Sequence, residues 1–164
     1  MKLRQLRNFV HCRAVGNFFE IASVLVGSWG IGPFSNDNAM DFIDELKSID
    51  LANLAFERTR EALRGALSDP DLVETGVAEV AIAAAALVAL NIRKHGHASA
   101  ETPHDWEFVD LPNAEEVREM SLAVLGMVEG VYSAWMDDCI DARIEAESRE
   151  MIEEIRVLLT NNPA

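Results

Sequence analysis

The sequence predicts an all-α fold, a compact bundle of about five or six helices entered through a Gly- and Trp-rich clasp loop. Three observations carry that reading. Apolar residues recur at three- and four-residue spacing in successive segments, as one face of a helix requires. Residues 77–90 are apolar nearly all round apart from Glu79, the mark of a helix enclosed by others. Proline, glycine and capping residues fall between these segments, where helices start and stop.

The clasp comes first. Gly27, Gly30 and Gly32 open backbone angles closed to other residues, and Pro33 fixes the next one. Trp29, Ile31 and Phe34 are too apolar for plain loop, so Trp29 and Phe34 are expected to anchor it among the helices. Ser35, Asn36 and Asp37 are N-cap candidates for a helix in which Ala39, Phe42, Ile43 and Leu46 share a face. Asp37 and Asp41 lie four apart near the positive end of its dipole.

A second helix is expected over 50–67. Leu51, Leu54, Ala55, Ala62 and Ala66 form its stripe, widened by Phe56, Leu63 and Leu67, and it stops at Ser68, Asp69 and Pro70. The central helix is expected over 71–93, with Ala81 and Ala83 to Ala86 allowing close approach of its neighbours. Its 14-residue apolar run is shorter than a bilayer crossing needs, and Glu79 is expected to reach the surface.

Residues 95–112 read as irregular, with Gly96, Pro103 and Pro112 as breakers and Trp106 and Phe108 pinning the loop. His95, His97 and His104 are weak candidate metal ligands there. They lack the i, i+4 spacing of a zinc-protease helix, and a solvated loop is the simpler reading. Asn113 is placed as a cap for a helix using Val117, Met120, Val124, Met127 and Val131, broadened by Leu125, Val128 and Trp135. A break is expected near Asp137 and Asp138. A final helix over 140–159 then uses Ile140, Ile144, Met151, Ile155, Leu158 and Leu159. Its outer side carries an acidic ridge, of which Glu147, Glu150, Glu153 and Glu154 are candidate binding residues, beside a plainer reading as a solvated face.

The pattern over 27–41, Gly27, Trp29, Gly30, Gly32, Phe34, Asn36, Asp37, Ala39 and Asp41, resembles the opening of a bacterial family of small helical proteins, domain-of-unknown-function family 4259. A weaker likeness continues through residues 81–90. The resemblance implies a helical domain and supplies no catalytic residue or cofactor. Family members usually begin at the motif, with Met before the first Gly, and Val26 stands in that place here. Residues 1–26 are therefore open to two readings: an amphipathic or disordered extension, or upstream sequence from a misplaced start. Under the second, Gly27 would carry a free amine that Asp37 or Asp41 could pair.

A length of 164 residues fits one domain over 27–164 that needs no staple. Net charge is −14, divided between +3 on residues 1–26 and −17 on the rest. That body repels nucleic acid and anionic membrane and suits a basic protein partner. His11, Cys12, Arg13, Asn17 and Glu20 interrupt the apolar N-terminal part, which points to the cytoplasm rather than export. Cys12 and Cys139 read as free thiols.

No nucleophile elbow, phosphate-binding loop or zinc-protease pair is present in the sequence, and no cofactor is called for. Two function classes follow. One is a small acidic non-enzymatic interaction protein, of the kind immunity proteins or antitoxins are, with a basic protein partner. The other is an enzyme or small-ligand binder using Asp37 and Asp41 beside Trp29, which would need burial to separate the two carboxyl pKa values.

Overall fold

Every residue from 81 to 92 is buried, and that run decides the architecture. In the computed structural model, which describes residues 31–69, 72–96 and 109–161, the run is the body of a central helix against which each of the other helices packs. The chain forms an all-α bundle of six α-helices among the described residues. They are α1 (Asp37–Lys47), α2 (Ala52–Leu67), the central α3 (Thr75–Gly96), α4 (Arg118–Val128), α5 (Ala134–Asp141) and α6 (Glu145–Thr160). A 3₁₀ turn, Ala114–Val117, leads into α4.

Alanine is what lets α3 be surrounded. Ala81, Ala83, Ala84 and Ala85 are fully buried, so the neighbouring backbones meet almost no side-chain bulk there. Larger residues fill the space farther out: Leu46, Leu63, Leu125, Ile152, Ile155 and Leu159 are each at most 1 % exposed. Burial of each such side chain stabilises the fold by roughly 1.5–3 kcal/mol. Over Thr75–Lys94 the helix has a mean hydropathy of 1.9 and is long and apolar enough to cross a membrane, and 72 % of that window lies inside the bundle. The 14-residue apolar run expected from sequence is thus part of a longer helix of spanning length, because the helix continues beyond the run at both ends.

Helix α1 follows its sequence signals. Asn36 is the cap: its Oδ1 accepts a hydrogen bond from the Ala39 N–H at 2.8 Å. Ala39, Phe42, Ile43 and Leu46 are the buried face. Glu45 holds α1 to α2 by receiving both Nε and Nη2 of Arg58, at 2.8 and 3.0 Å.

Several boundaries fall elsewhere than the sequence predicts. Leu51 and Leu54 are 62 % and 54 % exposed; α2 starts after Leu51, and its buried face is centred on Phe56, Thr59 and Leu63. Asn113 makes no side-chain cap bond. The break comes before Asp137 and Asp138, in the turn from Glu129 to Ser133. Ser133 starts α5 by accepting from the Met136 N–H at 3.2 Å, and Asp137 lies in the first turn, where acids suit the dipole. Val131 is therefore 85 % exposed instead of internal. A second turn at Ala142 to Ile144, with Arg143 at φ 62°, separates α5 from α6 and leaves Ile140 47 % exposed on α5.

Two clamps close the ends of the bundle. Asn91, fully buried in α3, donates from Nδ2 to the Leu87 carbonyl at 3.0 Å and to the Val109 carbonyl at 3.1 Å. Its Oδ1 accepts from the Leu111 N–H at 3.0 Å, so one side chain pins the returning chain. At the other end Val73 and Ser133 form an isolated parallel bridge.

Candidate functional site

Two places hold the residues singled out by the sequence: the start of α1 and the outer side of α6. At the first, Ser35 N–H closes a turn onto the Gly32 carbonyl at 3.0 Å, Pro33 is buried, and Phe34 is half-buried against the core. Asn36 is occupied by capping. Asp37 and Asp41 are both exposed. The adjoining contact with α3 comes from Asn38, whose Nδ2 donates to Glu79 Oε2 at 2.6 Å, so Glu79 does reach the surface and ties two helices together. Gly27, Trp29 and Gly30 lie outside the described residues.

A cleft of about 280 Å³ opens at the opposite end of α1. Leu46, Lys47, Ile49, Asp50, Val109 and Asp110 line it, and neither Asp37 nor Asp41 borders it. Lys94 pairs with Asp110 nearby at 3.2 Å.

His97 and His104 fall outside the described residues, and His95 lies in the last turn of α3. Among the described residues no three His, Cys, Asp or Glu side chains are grouped to hold a metal. Cys139 is buried. Burial raises its thiol pKa above the ordinary 9.0, partly offset by the hydrogen bond that Ser148 Oγ donates at 3.4 Å.

The α6 acids divide into two sets. On one flank Arg149 Nε bonds Glu145 at 2.9 Å and Arg156 Nη1 bonds Glu153 at 2.6 Å. Both arginines also reach Glu129 from the end of α4, Arg149 at 3.8 Å and Arg156 at closer range. Glu153 is thus neutralised locally. Glu147, Glu150 and Glu154 stand at three- and four-residue intervals on one face, and none of them joins an ion pair among the described residues. Glu147 and Glu150 are exposed and Glu154 is half-buried. Burial raises the Glu154 carboxyl above its ordinary 4.5, and the neighbouring Glu150 charge adds to the rise. A desolvated acid beside a second acid gains from any cation placed between them.

The pairings Glu145–Arg149 and Glu153–Arg156 were readable from spacing alone. Glu129 was not, since it meets Arg156 across 27 positions of chain.

Residues 27–154 match the family model described as a domain of unknown function, DUF4259. The chain belongs to that family. No curated protein and no solved structure matches it.

Proposed function

We propose that this protein is a small acidic, non-enzymatic interaction protein that binds a basic protein partner along the outer face of α6, in the manner of an immunity protein or antitoxin. One observation carries the reading: Glu147, Glu150 and Glu154 share a face without cationic partners among the described residues, while the acids beside them are matched to Arg149 and Arg156. Net charge of −14 on 164 residues supports it, since a long-range acidic field speeds encounter with a basic surface. The alternative, chemistry at Asp37 and Asp41, draws no support from their exposed positions on separate turns.

The test compares the parent with an E147Q/E150Q/E154Q variant as immobilised bait in extract of the native host. A basic protein retained by the parent at about 0.15 M salt, where screening reaches over roughly 8 Å, should be lost by the variant and by the parent in high salt. Equal retention by both baits refutes the α6 face as the binding surface.

A further inference from the structure

We draw no further inference here: the strongest candidate, the cleft of about 280 Å³ between the end of α1 and the start of α2, leads at Val109 into residues 97–108, which lie outside the described residues, and nothing in the structure shows what covers it.

Discussion

Asn91→Leu removes a single amide and leaves the side-chain shape nearly the same. Leucine cannot donate to the Val109 carbonyl or accept from the Leu111 N–H, and both groups sit where water does not reach: Val109 is 9 % exposed and Leu111 fully buried. The third bond, to Leu87, matters less because that carbonyl keeps its helical partner one turn on. Two lost long-range hydrogen bonds cost about 1 kcal/mol each, and a stranded buried N–H costs about 1–3 kcal/mol in its place. A net loss of about 2–4 kcal/mol follows. For a domain of this size each kcal/mol lowers the melting temperature by about 2–4 °C, so a fall of about 5–15 °C is expected. Urea and thermal unfolding followed by far-UV circular dichroism measure both quantities. A variant within about 0.5 kcal/mol of the parent, the range of ordinary surface substitutions, would refute the view that Asn91 fastens the chain returning to α4.

The cap and its neighbour should separate cleanly: Asn36→Ala costs about 0.5–2 kcal/mol, whereas Asp37→Ala removes only a favourable dipole contact of about 0.3–1 kcal/mol. Chemical denaturation of both variants checks the order, and an equal loss from each contradicts it. Arg143→Gly relieves a left-handed residue and should raise stability by up to about 1 kcal/mol, read as a higher urea midpoint. Two carboxylates predict opposite pH dependence. Hydrogen bonding to Arg58 lowers the Glu45 pKa below 4.5, so its contribution is present above that value and is lost as pH falls through the lowered one. Glu45→Gln should therefore weaken the protein at pH 7 and not in strong acid. Glu154 has its pKa raised, chiefly by burial, so its ionised form costs stability as pH rises through the raised value. Glu154→Gln should be the more stable protein at pH 7 and indistinguishable from the parent well below 4.5.

Local signals account for what could be read in advance. Asn36 and the Ala39, Phe42, Ile43, Leu46 repeat lie within 11 positions of one another, and α1 matches them. The apolar run at 77–90 announced a central helix because nothing but burial on every side suits it. The misplaced break has a physical cause. Asp137 and Asp138 disfavour helix interiors, yet they stand near the start of a short helix on its exposed side, where acids are welcome. Leu51 and Leu54 fitted a helical stripe by spacing, but the partner surface of α2 lies one turn farther on. The Asn91 clamp joins positions 18 and 20 apart, and Glu129 reaches α6 across 27, so no window of sequence contains either. The α6 face was visible as an acid-rich run. Which of its acids are matched follows from the local pairs Glu145–Arg149 and Glu153–Arg156, while the tie of both arginines to Glu129 lay beyond any window.

The hub arrangement around α3 has a bearing on how the molecule comes apart. Because each of the other described helices rests on one shared rod, and that rod is too apolar to stand in water alone, no subset of the described helices owns a core apart from it. Loss should be all-or-none, with a single sharp transition by every probe. Severing the chain anywhere between residues 75 and 96 should leave two fragments that fold only in each other's company.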